Sequence, residues 1–313
     1  MMPLSDAAIA SLRSLADWPD TTGTRYDILE RIGRGGMGSV YLAHDRALDR
    51  RVAIKVVSIP EPGGAPGPAG ERLTREARIL AGLEHPGLVP VHDAGVLSDG
   101  RPYYVMKWIR GTRLDTYLQS PRTEADRLRI FARICDAVAF AHQAGVIHRD
   151  ITPANIMVGA FGEVLVLDWG LARIRLDRTG ASPATTRPGT VIGTAGYMAP
   201  EVAAGHADAS DERTDVYALG GILEVLTAPP AGHTRPRPLA AIIARARQSS
   251  PAARYPAAGL LATDVERFRA GDPVDAYHEN PIEWAARLAA RHQTAIVLVA
   301  VYIMIRVALL AMR

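Results

Sequence analysis

The sequence predicts an α+β fold in two lobes, a small β-rich lobe followed by a larger helical one, with the chemistry between them and an apolar helix at the end. Three observations carry this. From Tyr26 to Val57 the apolar residues sit in short β-rich runs around a cluster of glycines. From Thr123 onward they recur at helical spacing, as in Leu128, Phe131, Ile134, Val138 and Ala141. From Thr294 to Met312 the chain is apolar except for Arg306.

The bulk properties narrow the classes. With 48% hydrophobic and 22% charged residues among 313, the chain is neither disordered nor uniformly membranous. A net charge of +3 is too small to argue for nucleic acid as a partner. The single cysteine, Cys135, permits no internal disulfide and sits in a helical pattern, where it reads as a small buried residue. Asp6, Arg13 and Asp17 interrupt what would have to be the apolar core of a secretion signal.

Along the chain, residues 1–25 hold a short candidate helix at 7–16 and then a loop around Trp18-Pro19-Asp20. Strands are expected around Ile28, Ile32 and Val40–Leu42, then at Arg51–Val57. Pro60–Gly70 is so rich in Pro and Gly that it reads as a loop. Glu71–Leu83 reads as a helix with Leu73, Ala77 and Leu80 on one face, and Tyr103–Trp108 as a strand. Thr123 with Asp126 resembles a capping box, and Gly145 is placed to end that helix. Val164–Leu167 is a short buried strand, and Thr214 and Asp215 open a further helix carrying Val216, Leu219, Ile222, Leu223 and Leu226.

Three clusters carry chemistry. In Gly33-Arg34-Gly35-Gly36-Met37-Gly38-Ser39-Val40 the glycines let backbone approach phosphate with no Cβ in the way. Strand continues through Ser39–Leu42 where a dinucleotide site would open a helix, so the pattern fits a hairpin closing over phosphates; a merely flexible hairpin is the bland alternative. Lys55, in Val52-Ala53-Ile54-Lys55, lies in a run whose period of two buries alternate residues. A buried ammonium needs anionic partners, and Glu76 on the next helix is the natural carboxylate. Last, His148-Arg149-Asp150-Ile151-Thr152-Pro153-Ala154-Asn155 combines a carboxylate with an amide five positions on, followed by Asp168 in Leu167-Asp168-Trp169-Gly170. Phosphoryl transfer needs charge neutralisation and in-line positioning more than covalent help. Asp168 and Asn155 offer oxygen ligands suited to Mg²⁺, and Asp150 would orient and deprotonate a substrate hydroxyl.

Taken in order, GxGxxGxV, VAIK, HRD-x₄-N, a DWG triplet and Ala199-Pro200-Glu201 resemble the protein-kinase signature set, and residues 26–271 are similar to the bacterial eukaryotic-like serine/threonine kinases. The resemblance implies a protein-kinase fold with N-lobe 26–106, hinge 107–111 and C-lobe 112–271, ATP and Mg²⁺ bound between the lobes, and proteins as substrates. It implies catalytic roles for Asp150, Lys55, Glu76, Asn155 and Asp168. ATP contacts would come from Ile32 through Val40, Ala53, Lys55 and Met106, with Lys107, Trp108 and Ile109 along the hinge. Asp215 would brace the catalytic loop, and Arg254 would pair with Glu201. Residues 171–198 would form an activation segment whose hydroxyls include Ser182, Thr185, Thr186, Thr190 and Thr194. A phosphate on it would pair with Arg149, and a homodimer would serve trans-autophosphorylation.

The chain departs from the family at Trp169, where Phe is usual, at Thr152, where a lysine is usual, and between Leu226 and Leu239, where a docking helix is missing. Thr152 and the missing helix keep a second reading open, a pseudokinase scaffold. A small-molecule kinase is disfavoured by Ala199-Pro200-Glu201 and the hydroxyl-rich segment before it. Residues 272–293 are expected to be juxtamembrane. Residues 294–312 would span about 28 Å as a helix. Ten Ile, Leu and Val residues there contribute roughly −3 to −6 kcal/mol against at most about +3 for Arg306, so insertion is expected. Arg287 and Arg291 precede the run and only Arg313 follows, which puts the kinase side in the cytoplasm.

Overall fold

The computed structural model of the chain describes residues 18–35, 38–57, 68–169, 172–174, 196–205, 210–230, 232–292, 297–299, 301–305 and 307. The small lobe is an antiparallel sheet of five strands: β1 (Tyr26–Gly35), β2 (Gly38–Asp45), β3 (Arg50–Val56), β4 (Val91–Val96) and β5 (Pro102–Lys107), in the spatial order β1-β2-β3-β5-β4. Val52, Ile54 and Val56 alternate inward on the central strand and pack with Tyr26, Tyr41 and Val105. The edge strand β4 was not predicted. Its sequence, Val-His-Asp-Ala-Gly-Val, carries Asp and Gly and no apolar alternation, and pairing with β5 makes it a strand.

Helix α1 (Pro68–Ala81) packs Leu73, Ala77 and Leu80 into the core, on the face expected. It starts earlier than expected. Pro68 to Gly70, assigned to the loop from composition, form its first turn, where proline's missing N–H is no loss. The rest of that loop, and the candidate helix at 7–16, lie outside the described residues.

The large lobe is built on α3 (Glu124–Gln143) and α5 (Glu212–Leu226), whose Phe131, Ile134, Cys135 and Val138 meet Leu219, Ile222 and Leu223 in one core. Cys135 is buried, as its pattern implied. Thr123 caps α3, its hydroxyl accepting from the Asp126 N–H at 3.1 Å, and Gly145 turns the chain out of it in the left-handed conformation at φ 76°. The short α2 (Leu114–Tyr117) precedes α3, and α4 (Pro200–Ala203) precedes α5. α5 opens at Glu212 rather than at Thr214. Asp211 is the cap, accepting from the Arg213 N–H at 2.8 Å, which leaves Asp215 inside the first turn. α6 (Arg237–Ala246) and α7 (Ala258–Ala270) complete the bundle. Among the described residues between α5 and α6 there is no helix. Arg235 donates to the carbonyls of Glu224 (2.9 Å) and Thr227 (3.3 Å), folding the link back over the end of α5.

Between the lobes run the strands that carry the site. β6 (Gly111–Arg113), β8 (Ile156–Gly159) and β9 (Val164–Val166) form one small antiparallel sheet; β7 (Val146–Ile147) and β10 (Arg173–Ile174) form another. The last described regular helix, α8 (Pro281–Arg291), turns its charged stripe toward the lobe. Glu283 pairs with Arg237, Arg287 with Glu279, and Arg291 with Asp272, while Ile282, Trp284 and Leu288 are exposed.

The transmembrane helix expected at 294–312 is not found as such. Among the described residues no helix is long and apolar enough to cross a membrane. Residues 297–299, 301–305 and 307 are helical and exposed; the others of that run lie outside the described residues.

Phe131, fully enclosed between α3 and its neighbours, tests this core. Phe131→Ala removes a ring and leaves a cavity, so the unfolding free energy is expected to fall by about 3–5 kcal/mol in denaturant titration.

Candidate active site

Register brings several of the residues expected to contact nucleotide together. Gly33 lies opposite Val40, Val40 opposite Lys55, Ala53 opposite Met106, and Lys55 opposite Tyr104. Directly opposed residues share a face, so Gly33, Val40, Ala53, Lys55, Tyr104 and Met106 line one side of the sheet. Arg34 and Ser39, opposite each other one position on, belong to the other side. Ile32 stands at a register shift and is half exposed. Lys107 is exposed and Ile109 half-buried where the chain leaves β5. Gly36 and Met37 lie outside the described residues.

Lys55 is 7% exposed, and its ammonium is met as burial requires. Nζ donates to Glu76 Oε2 at 2.8 Å and Oε1 at 2.9 Å, and to Asp168 Oδ1 at 3.0 Å. Burial works against the charge, but the carboxylates of Glu76 and then Asp168 outweigh it and raise the Lys55 pKa above its ordinary value. The Tyr104 hydroxyl donates to Glu76 Oε1 at 3.0 Å, fixing the carboxylate from the sheet side. Tyr104 was not singled out in the sequence. Its place directly across from Lys55 is a period-two signal that only the strand register makes readable.

On the large lobe the catalytic-loop candidates hang from one buried carboxylate. Asp215 accepts the backbone N–H of His148 on Oδ2 and of Arg149 on Oδ1, each at 2.8 Å, and His142 Nε2 lies 2.8 Å from Oδ2. Burial pushes the Asp215 carboxyl up, yet the hydrogen bond from His142 and the charges and donors around it hold it below the ordinary carboxylate value. Arg149 is held in the left-handed region at φ 71°, unusual outside glycine, and the N–H groups of His148 and of Arg149 itself are both tied to Asp215. Bracing of the loop by Asp215 agrees with the sequence; His142, in the last turn of α3, was missed.

From that anchor the loop reaches the other groups. His148 accepts the Asp150 N–H on Nδ1 (3.2 Å), so its proton sits on Nε2, 3.0 Å from the Leu167 carbonyl, which can only accept. The Leu167 N–H returns to the Asn155 carbonyl at 2.7 Å. Asn155 Nδ2 donates to the Asp150 carbonyl at 2.9 Å and to Asp150 Oδ2 at 3.1 Å, which leaves Oδ1 as its acceptor end. Burial, with the nearby Asp168 charge, raises the Asp150 pKa, while His148 and Asn155 pull the other way. Asp168 sits at φ 59°, with its side chain 46% exposed. Thus Lys55, Glu76, Asp150, Asn155 and Asp168 form one connected set.

The departures have structural accounts. Trp169 is buried, its ring 4.5 Å from that of His148 and its indole N–H directed at the Val166 carbonyl at 3.3 Å, a bond phenylalanine could not make. Thr152 is buried before the 3₁₀ turn Pro153–Asn155 and gives its carbonyl to the Asn155 N–H. Arg254 meets Glu201 as expected, two N–H groups on two oxygens at 2.8 Å each. Ser182, Thr185, Thr186, Thr190 and Thr194 lie outside the described residues.

A β-sheet lobe over a helical lobe, with a buried lysine facing a carboxylate–amide loop, is the architecture of one enzyme class, and comparison with known proteins agrees. A family model described as the protein kinase domain matches residues 26–249, and the chain belongs to the protein kinase family. Its relatives include bacterial serine/threonine kinases. PknD of Chlamydia trachomatis is 41% identical over 230 residues, covering 64% of this chain and 24% of its own length. PknD of Chlamydia muridarum is 43% identical over 230 residues. PknB of Mycobacterium tuberculosis is 36% identical over 289 residues, which is 82% of this chain and 45% of its own length. The chain thus spans less than half the length of these curated relatives.

The Arg254–Glu201 pair gives a pH test. Burial opposes the Glu201 charge, but Arg254 holds the carboxyl below its ordinary value. A depressed carboxylate adds stability above its unfolded pKa and loses it as pH falls through the folded one. Glu201→Gln is therefore expected to lower the melting temperature at pH 7, and the gap to wild type should close below about pH 4 in thermal scans.

Proposed function

We propose that the protein is a serine/threonine protein kinase that transfers the γ-phosphoryl group of ATP to protein hydroxyls. The observation that supports this most is the bridge from Lys55 of the small lobe to Glu76 and to Asp168 of the large one, with Asp150 and Asn155 joined beside it. In this reading the glycine-rich β1–β2 hairpin covers the phosphates, Lys55 pairs with their oxygens, and Ala53 and Met106 bound the base. Asp150 aligns the acceptor hydroxyl and takes its proton. The O–P bond to the γ-phosphorus forms as the bridging bond breaks, and ADP leaves with the charge.

The donor set suits Mg²⁺. Asp168 offers a half-exposed carboxylate and Asn155 a free carbonyl end, both hard oxygens. Mg²⁺ commonly takes one or two protein carboxylates and completes its shell with phosphate and water oxygens. Bound there, Mg²⁺ neutralises phosphate charge and orients the triphosphate.

Two finer readings belong with this proposal. The apolar run 294–312 holds the domain at the cytoplasmic face of the membrane as a single-pass anchor; its length, and the exposed apolar side chains at 297–299, 301–305 and 307 and on α8, favour this. A homodimer then serves trans-autophosphorylation on the 171–198 segment. Thr152, buried where a lysine would be expected, and the helix-free link among the described residues between α5 and α6 favour a nucleotide-binding scaffold instead.

Incubation of the purified chain with radiolabelled ATP and a generic basic protein decides. Mg²⁺-dependent labelling is expected, with at least about 10²-fold loss in Lys55→Met and Asp150→Asn. Labelling that survives both substitutions refutes the assignments; ATP binding with no labelling by wild type establishes the scaffold.

A further inference from the structure

A surface helix ordinarily buries its apolar stripe and shows its charges to water, and α8 does the reverse. At about 100° per residue, Glu283, Arg287 and Arg291 fall within an arc of about 80°, and that arc faces the lobe. Glu283 accepts from Arg237 at 3.0 Å and from the Tyr277 hydroxyl at 2.9 Å. Arg287 meets Glu279 at 2.8 Å, and Arg291 pairs with Asp272. Ile282, Trp284, Ala285, Leu288 and Ala289 occupy the other side, an arc of about 160°. All five are exposed, Ile282 at 80% and Trp284 at 52%, and no charged residue of the helix interrupts them.

The apolar surface continues in two directions. Beside the helix, Trp284 borders a groove with Pro273, Tyr277 and Pro281. Along the chain, residues 297–299, 301–305 and 307 are helical and present exposed Val, Leu, Tyr, Ile and Met side chains, within the run read above as the anchor. Arg291 stands three residues before Thr294, at most about 11 Å of extended chain. A segment that enters hydrocarbon at 294 therefore holds the end of α8 at or near the headgroup layer, which is roughly 5–8 Å deep on each side of a bilayer. Tryptophan, with a broad apolar ring and one polar N–H, suits that layer. A second copy of the chain is a poorer occupant. A helix about 16 Å long and about 10 Å wide presents less than the roughly 800 Å² that each partner in a stable protein complex buries.

We propose that the outward face of α8 lies in the headgroup layer of the bilayer as an in-plane helix, with Ile282, Trp284 and Leu288 against lipid. The proposal rests on the anchor reading and adds an orientation to it. Three ion pairs clasp α8 to the large lobe, and the Asn280–Glu283 capping box fixes its first turn. Lipid contact at α8 therefore sets the attitude of the whole domain, where a loose linker would leave the cleft free to turn. The arginines of α8 are engaged with carboxylates of the lobe, so the contact is apolar and requires no anionic lipid.

The test uses the full chain reconstituted in phosphatidylcholine vesicles whose acyl chains carry bromine, a contact quencher of indole, with acrylamide as the aqueous quencher. Emission from Trp284 is read as the difference between wild type and Trp284→Phe, since the chain has four tryptophans. Bromine placed near the headgroups is expected to quench most of that emission, and bromine at the chain ends less of it. The quenching should be the same at low and high salt, because no exposed charge pair carries it. Ile282→Glu combined with Leu288→Gln, both at exposed positions, should abolish it while the chain stays in the vesicles through an alkaline wash. Emission quenched by acrylamide and not by bromine, from a chain that resists the wash, overturns the proposal and leaves the anchor standing. Emission shielded from both quenchers marks a protein partner, a second copy included, and overturns the proposal as well. A chain that the wash strips away overturns the anchor reading, and the proposal with it.

Discussion

Lys55 carries a charge into a nearly closed space, and three separate pieces of chain must come together to keep it there. β3 supplies the lysine, α1 supplies Glu76, and the large lobe supplies Asp168. Removing any one leaves a buried ion short of a partner, which costs far more than an exposed pair contributes. Tyr104 extends the arrangement by holding Glu76 from β5, so the sheet, the helix and the cleft share one polar junction. It joins the sheet to Asp168, beside a second link between the lobes, the bridge of Leu88 to Val166 with the Val166 N–H on the Gly87 carbonyl at 2.9 Å.

A second anchor serves the other side of the cleft. Asp215 holds a backbone turn that Arg149 could not keep alone, since a left-handed arginine is strained unless its surroundings over-determine it. His142 completes the carboxylate's contacts, and His148, through one ring, ties Asp150 to the strand that leads into Asp168. The same helix, further along, receives Arg247, paired with Glu224, and Arg254, 4.9 Å from the centre of the Tyr217 ring. α5 is thus a common base for the catalytic loop and for the segment that enters α4.

The unusual residues fit this frame without disturbing it. Trp169 supplies an indole N–H to the Val166 carbonyl and packs on His148, tightening the turn at Asp168. Thr152 is enclosed and offers no cation. The short link after α5 is pinned by Arg235 to the helix it leaves, which brings α6, and with it Arg247, close under the 196–197 turn.

Much of this was legible in the sequence, because local chemistry suffices for part of it. Thr123 and Gly145 bound α3 through capping and a left-handed turn, both set by residues within a few positions. Motifs with strict order named Lys55, Glu76, Asp150, Asn155, Asp168, Asp215 and Arg254 before any geometry was known. The start of α1 at Pro68 was hidden by composition, and the start of α5 by a choice among neighbouring polar residues that only the cap at Asp211 resolves. Strand β4, Tyr104, His142 and Arg247 were not readable at all. Each acquires its role from a partner that is distant along the chain, across a sheet register or a helix crossing, and sequence spacing carries no trace of such a neighbour until the tertiary packing puts it there.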